Sequence, residues 1–294
     1  MTAAQHFIDQ AFDDHAADPR GVAARLDHGF ALLAEAPELA DAFARLTEHV
    51  LLGHLDDGAA LARWIGRLAP FSAENAGLGP TLERMRAAIA LAGGGTAIAT
   101  DLSAAERVRA HGNALLASTR RRDWVRVGAL LDSAGDLAEH TADPAALRAF
   151  AAIANNLAGD LRFYHPRHRD DAGYRDQMVA AARIARDAWY RAGGWLEQER
   201  ADYQLALCLA AAGAGREAVD HAGSCWNICR LNGADDAECF FALEALAYAQ
   251  AAADRHAEAA AARAQMTERL KLIDDAGLRA YAEKQLAAVD TAIG

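Results

Sequence analysis

The chain has few aromatic residues and few cysteines, and it lacks long uncharged apolar runs. Aromatic residues make up only 7% of the 294 residues, so a core must be packed largely by small side chains. The four cysteines include no Cys-x-x-Cys pair, which argues against a disulfide scaffold, a thiol–disulfide enzyme and a common zinc motif. No run of about 18 apolar residues is free of charges and glycine clusters, so we expect no membrane-spanning helix and no membrane partner.

Basic residues are also scarce relative to acidic ones, 30 against 41, which gives a net charge of −11. Such a chain is repelled by phosphate backbones, and the run at residues 120–122 is short, so we expect no nucleic-acid partner. The first residues, Met1 to His6, have neither a basic stretch nor an apolar one, which predicts no signal peptide. Together with free thiols, this predicts a cytoplasmic protein.

Sequence signatures of common enzymes are missing as well. There is no Gly-x-Ser-x-Gly elbow and no dinucleotide fingerprint after a strand. The glycines at 93–95 are not followed by the Lys and Ser/Thr of a phosphate loop. We therefore expect no cofactor and no catalytic residues, and the sequence favours binding over catalysis.

Helix-forming sequence fills most of the chain, since 53% of the residues are apolar and no segment alternates with the period of a strand. Asp18, Ser103 and Asp143 stand at predicted helix starts, and Gly213 and Gly233 stand at predicted ends. The predicted helices are 3–15, 19–35, 38–54, 57–69, 80–92, 103–119, 122–140, 144–163, 172–192, 195–213, 215–232, 235–253, 255–275 and 277–292. A hinge is expected at 92–100.

A Leu-Ala pair recurs at near-constant spacing along this helical sequence. It occurs at 116–117, 157–158, 205–206 and 246–247, in steps of 41, 48 and 41 residues. The middle step is one period plus seven residues, or about two helical turns. A period of this size predicts stacked helical hairpins, in which no single unit buries its apolar face alone.

The pattern over roughly 103–276 resembles the tetratricopeptide repeat. Leu205–Ala206, Gly213 and Ala218 match the large-small pair, the turn glycine and the small crossing residue of that family. The period of 41 departs from the family's length of about 34. The closing proline is missing, and Leu209 and Gln250 stand where the family has a tyrosine.

The resemblance implies an all-α fold, a right-handed superhelix of antiparallel helical hairpins. We expect an irregular helical N-terminal region over 1–92 and a repeat array over 103–293, capped by the helix at 277–292. The alternative is an irregular all-α bundle in which the spacing is accidental. Alanine-rich edges of an array leave apolar surface, so self-association into a homo-oligomer is a further expectation.

The resemblance also implies a concave groove lined by the first helix of each hairpin. Aromatic and arginine side chains are typical of such binding surfaces. We therefore predict a scaffold or regulatory module that binds an extended peptide or protein tail with an acidic end. The alternative is that these side chains simply face solvent. The predicted groove residues are His111, Ser118, Arg121, Asn155, Asn156, Arg162, Arg200, Tyr203, Gln204, Phe241, Glu244 and Tyr248.

A second functional hypothesis is a helical metal-binding protein or small-molecule enzyme. One candidate metal set is His165, His168 and Asp170, in the long connection that accounts for the seven extra residues, since imidazole and carboxylate suit zinc, iron or manganese. A charged loop is the simpler interpretation, because the arginines at 167 and 169 oppose a cation.

The other candidate metal set is His221, Cys225 and Cys229, which share one helix face. Thiolate and imidazole together suit zinc or monovalent copper. Ala218, Ala222 and Ile228 lie on the same stripe, so a buried apolar face with small hydrophobic cysteines is the simpler interpretation. Bound metal in the purified protein would distinguish this hypothesis from the scaffold.

Overall fold

The computed structural model describes residues 1–96 and 101–293, and all regular structure within these ranges is helical. This confirms the all-α prediction. None of the described helices is both long and apolar enough to cross a membrane. Residues 97–100 of the expected hinge lie outside the described residues. The α-helices are α1 (Ala3–Asp14), α2 (Pro19–Leu32), α3 (Ala40–Glu48), α4 (Gly58–Leu68), α5 (Leu78–Ala92), α6 (Ala104–Arg120), α7 (Trp124–Glu139), α8 (Pro144–Tyr164), α9 (Ala172–Ala192), α10 (Trp195–Ala211), α11 (Gly215–Asn232), α12 (Asp236–Ala252), α13 (His256–Leu270) and α14 (Ala276–Ile293).

The helix starts and ends follow the predicted caps. The hydroxyl of Ser103 accepts a hydrogen bond from the backbone N–H of Glu106 at 3.2 Å, and Asp18 caps α2 in the same way. Gly213 and Gly233 adopt positive φ angles of 79° and 63°, a conformation that glycine reaches without the steric cost of a Cβ. Local side-chain and backbone chemistry therefore accounts for these boundaries.

The helix predicted over 38–54 is divided in three in the structure. A short 3₁₀ turn covers Pro37–Leu39, α3 ends at Glu48, and a π-helix covers His49–His54. The wider π-helical turn is seen at the end of His49–His54, where the N–H of Leu55 donates to the carbonyl of Val50 at 3.1 Å. Because this bond spans five residues rather than four, side chains five apart come onto one face. Two further 3₁₀ turns cover Ala69–Ala73 and His165–Arg167.

The chain forms two compact units, Met1–Ile153 and Ala154–Gly294. The first unit contains both the N-terminal helices and the hairpin of α6 and α7. Its core has a cluster of aromatic rings around Phe43, which contacts Phe7, Phe30 and Trp64 at centroid distances of 5.8 to 6.4 Å. The division predicted between 92 and 103 stays a prediction.

The second unit is built from successive packed helices. Helix α10 packs on α11, α11 on α12 and α12 on α13, and α12 also contacts α10 and α14. Leu205, Ala206 and Ala218, all singled out by the repeat, are buried. Small residues at the helix crossings let the backbones approach closely, which is how a core with few aromatic rings is filled.

Candidate functional site

Two of the predicted groove residues contact one another in the second unit. The hydroxyl of Tyr203 on α10 donates a hydrogen bond to Oε2 of Glu244 on α12 at 2.9 Å. The two residues stand 41 positions apart, at the same place relative to Leu205 and Leu246. Phe241 packs edge-on against Tyr203 with 6.3 Å between ring centroids. Equivalent positions of the last two Leu-Ala segments therefore lie side by side.

Burial shapes the electrostatics of this pair. Burial raises the pKa of the Glu244 carboxyl, and the Tyr203 hydrogen bond and the positive charge of Arg162 partly offset the rise. Burial also raises the pKa of Tyr203 well above its ordinary value, so its hydroxyl stays protonated and keeps donating. The Glu244 carboxyl thus lies within reach of the positive charge of Arg162.

A cavity of about 650 Å³ lies in the second unit, lined in part by Tyr248 one turn after Glu244, and we call it the basic cavity. Its apolar wall includes Leu207 and several alanines. The polar side chains that line it are Arg162, His165, Arg169, Arg175 and Tyr248. A chain with a net charge of −11 therefore gathers three arginines and a histidine around one concave space.

Two nitrogen atoms at the basic cavity are buried and lack hydrogen-bond partners among the described residues. They are Nε of Arg162 and Nε2 of His165. Buried polar atoms in folded proteins are ordinarily hydrogen-bonded. Burial lowers the pKa of His165, and the charges of Arg169 and Arg175 lower it further, which favours the neutral imidazole. An anion would supply the missing acceptor for Arg162 and relieve this crowding of positive charge.

The predicted groove residues of the first unit are engaged in local structure. His111 is buried, with Nδ1 donating to the carbonyl of Arg107 at 3.0 Å and Nε2 lying 3.2 Å from the hydroxyl of Ser133. Arg121 donates to the carbonyl of Ala92 at 2.8 Å. Ser118, likewise buried, donates to a backbone carbonyl within α6. His111 therefore ties α6 to α7, and Arg121 ties the end of α6 to α5.

The other predicted groove residues of the second unit occupy varied environments. Asn155 is half-buried and Asn156 is exposed on α8. Arg200 is exposed and has an acidic partner of its own in Glu238. Gln204 is buried and donates to a cysteine sulfur one turn later in α10. By the resemblance, Asn156 and Arg200 stand at positions where some family members hold a peptide carboxylate. The unpartnered nitrogens of Arg162 and His165 lie at the basic cavity instead.

The two candidate metal sets have other partners in the structure. Nδ1 of His221 lies 2.8 Å from the Asp202 carboxylate, and the thiol of Cys225 lies 2.9 Å from Oε1 of Glu199. Cys229 directs its thiol to a backbone carbonyl at 3.9 Å. A metal at this stripe stays a prediction.

The other candidate metal ligands, His165, His168 and Asp170, lie in three different environments. His165 lines the basic cavity, and the ring of His168 packs against Tyr174 with 4.6 Å between centroids. Asp170 is exposed. A metal at these three residues also stays a prediction.

Glu199 carries a testable pH dependence. Burial raises the pKa of its carboxyl to about 7, against the opposing hydrogen bond of Cys225. The folded protein therefore keeps this proton at pH values where the unfolded chain has lost it, so stability falls as pH rises from about 5 to about 8. Glu199→Gln is neutral at every pH. At about pH 8 it should raise the urea-derived free energy of unfolding by about 1–3 kcal/mol relative to the wild type.

The matched control is Glu283→Gln, an exposed glutamate of α14. It should leave the slope of stability against pH unchanged. An equal slope in wild type and Glu199→Gln would contradict the burial of a protonated carboxyl.

Two groups of site residues were missed by sequence reasoning. Arg169 was predicted only as a charge that opposes a metal ion in its loop, and Arg175 was not singled out, but both line the basic cavity. His15, His49 and His54 form a convergent group of possible metal ligands within the described residues. Five residues of α-helix turn a side chain by about 140°, so the spacing of His49 and His54 gave no signal without the π-helix.

No family model matches the chain, and no curated protein matches it. The functional proposals below therefore rest on the geometry of the two units.

Proposed function

We propose that this protein is a peptide- or protein-binding module, and that the basic cavity holds the acidic end of an extended partner segment. The observation that carries the proposal is the pair of buried, unpartnered nitrogens of Arg162 and His165 at one cavity. A carboxylate accepts several hydrogen bonds at once and bonds strongly to a guanidinium. It therefore complements both the charge and the hydrogen-bonding capacity of the cavity.

The surroundings favour a peptide over an isolated small anion. The ring of Tyr248 lines the cavity, and Tyr203, Phe241 and Tyr281 form a continuous aromatic series with centroid distances of 6.3 and 5.9 Å. Aromatic and arginine side chains contribute much of the binding energy at protein interfaces. The cavity volume also falls in the range of ligand pockets. Together these features suit a chain end followed by apolar side chains.

We also propose that α10 to α14 stack as tetratricopeptide-like hairpins, the finer form of the all-α fold. The hydrogen bond between Tyr203 and Glu244 supports this arrangement, because residues one period apart lie next to each other. Contacts of α12 with both α10 and α14 support it as well. In such a stack the first helices form a concave surface, and Arg162 would lie at one border of it.

The charge distribution supplies a reason for selectivity. Most of the surface of a chain with a net charge of −11 repels an acidic partner. Only a local concentration of positive charge can then orient that partner. An acidic tail would therefore be guided to the basic cavity, and encounter rates should fall with added salt.

The test uses a fluorescent peptide that ends in two glutamates with a free carboxylate, titrated with the full chain. Arg162→Gln removes one charge and the unpartnered donor at the cavity. We expect it to weaken binding about 10- to 100-fold, the value of one charge-assisted hydrogen bond. The same peptide with an amidated terminus and glutamines in place of glutamates should bind poorly to the wild type, as measured by fluorescence anisotropy.

The control is Arg216→Gln, which removes an identical charge from an exposed position on α11. It should bind the acidic peptide like the wild type. Equal affinity of the wild type for the acidic and neutral peptides would contradict the proposal. An equal loss of affinity for the acidic peptide in Arg162→Gln and Arg216→Gln would contradict it too. His165→Phe preserves ring packing, and a loss of affinity in this variant would support a direct contact of the imidazole with the ligand.

A further inference from the structure

We propose that His15, His49 and His54 bind one divalent transition-metal ion, with zinc as the representative, in the first unit. This proposal is independent of the function proposed for the second unit. The ligand nitrogens of the three imidazoles all lie within 4.8 Å of one another. The three ring centroids are separated by 4.7 to 5.0 Å. The rings thus enclose a common point rather than stacking in a row.

The distances fit a zinc ion after a small contraction. A Zn–N bond of about 2.0–2.1 Å places tetrahedral ligand nitrogens about 3.3 Å apart. Nε2 of His49 and Nε2 of His54 already lie 3.1 Å apart. The ring of His15, at the end of α1, has only to move a short distance toward the other two imidazole rings. Three histidines leave the fourth tetrahedral position for water or another ligand.

Two of the three outer ring nitrogens are held by hydrogen bonds of the kind that orient metal ligands. Nδ1 of His15 donates to the backbone carbonyl of Phe12, and Nδ1 of His49 donates to Oδ1 of Asn113 at 3.0 Å. Both rings therefore present the Nε2 lone pair to the common point. Carbonyl and amide oxygens in this role fix the tautomer and raise the basicity of the ligand nitrogen.

Gly53 makes room for this outer contact. A Cβ at position 53 would come within 2.9 Å of Oδ1 of Asn113 and 3.5 Å of Nδ1 of His49. The π-helix thus does two things at this place. It brings His49 and His54 onto one face, and its glycine lets the Asn113 amide reach the His49 ring. π-Helical turns of this type occur often at functional sites.

The outer nitrogen of His54 has a different neighbour. The guanidinium of Arg120 lies 3.5 Å from Nδ1 of His54. A guanidinium can only donate, so in the metal-free chain Nδ1 of His54 accepts and its Nε2 carries the proton that faces Nε2 of His49 at 3.1 Å. Metal ions bind the imidazole through a lone pair, so a bound zinc ion takes the place of this hydrogen bond.

The test is equilibrium dialysis and calorimetry of the full chain with zinc chloride, and absorption spectroscopy with cobalt chloride. We expect one zinc per chain, a rise in Tm with zinc, and the strong visible absorption of tetrahedral cobalt. His15→Ala, at the end of α1, should weaken zinc binding about 100-fold or more. Asn113→Ala keeps all three ligands and should weaken it about 10- to 100-fold.

The control is His6→Ala, which removes an exposed histidine from α1 of the same unit. It should bind zinc like the wild type. Circular dichroism without metal checks that each variant folds, and His49→Gln provides a second ligand variant of similar volume. Absence of stoichiometric zinc binding in the wild type would overturn the proposal. So would an equal loss of affinity in His6→Ala and His15→Ala.

Discussion

Replacement of Arg84 by methionine is expected to lower the free energy of unfolding by about 3–5 kcal/mol, because it leaves a buried carboxylate without its partner. Arg84 on α5 donates through Nη2 to Glu48 and through Nη1 to Glu106, each at 2.9 Å. The side chains of Arg84 and Glu48 are only 9% and 2% exposed. Urea unfolding near pH 7 measures the effect.

Two further variants separate the loss of the ion pair from the loss of packing. The double variant Arg84→Met with Glu48→Met should recover most of the stability, since a buried ion pair and an apolar pair of similar volume are often equivalent. Arg86→Met breaks an exposed pair with Glu83 and should change stability by less than about 0.5 kcal/mol. A cost for Arg84→Met as small as that of Arg86→Met would show that Glu48 reaches water.

Asp202→Ala is expected to lower the free energy of unfolding by about 2–4 kcal/mol, because one buried carboxylate holds three donors from two neighbouring helices. Asp202 on α10 is fully buried. It accepts from Nε of Arg186 at 2.7 Å, lies 2.8 Å from Nδ1 of His221 and accepts from the hydroxyl of Tyr190. Removal of the carboxylate loosens α9 and α11 from α10 at once.

The pH dependence of this loss has a definite sign. Burial opposes ionisation of Asp202, but the hydrogen bonds from His221, Tyr190 and Arg186 outweigh it and hold the pKa below its ordinary value. A depressed carboxyl pKa contributes stability above the unfolded value of about 4, and this contribution is lost as pH falls through the folded value. The difference in the free energy of unfolding between wild type and Asp202→Ala should therefore become smaller as the pH is lowered.

Asp187→Ala is the control for this experiment. Asp187 lies 3.5 Å from the same arginine, but its side chain is 76% exposed, so its removal should change stability by less than about 0.5 kcal/mol. If the difference in the free energy of unfolding between wild type and Asp202→Ala stays constant from neutral to acid pH, then packing, not charge, accounts for the loss of stability.

Sequence alone determined the helical class, most helix ends and part of the candidate site. Caps such as Ser103 and Gly233 act through neighbouring backbone groups, so a few adjacent residues are enough to determine where the helix begins or ends. The period of 41 likewise placed Tyr203 and Glu244 at equivalent positions, and the structure joins them by a hydrogen bond. These features depend on local chemistry or on a repeated spacing.

Only the tertiary structure decided where unpartnered donors and convergent ligands lie. The basic cavity combines Arg162 of α8 with Arg175 of α9 and Tyr248 of α12, and no sequence spacing relates these residues. The histidine cluster needs a π-helix to align His49 with His54, and it needs the packing of α1 to bring in His15. Such sites depend on the positions of side chains across helix contacts, and these positions come from packing the whole unit.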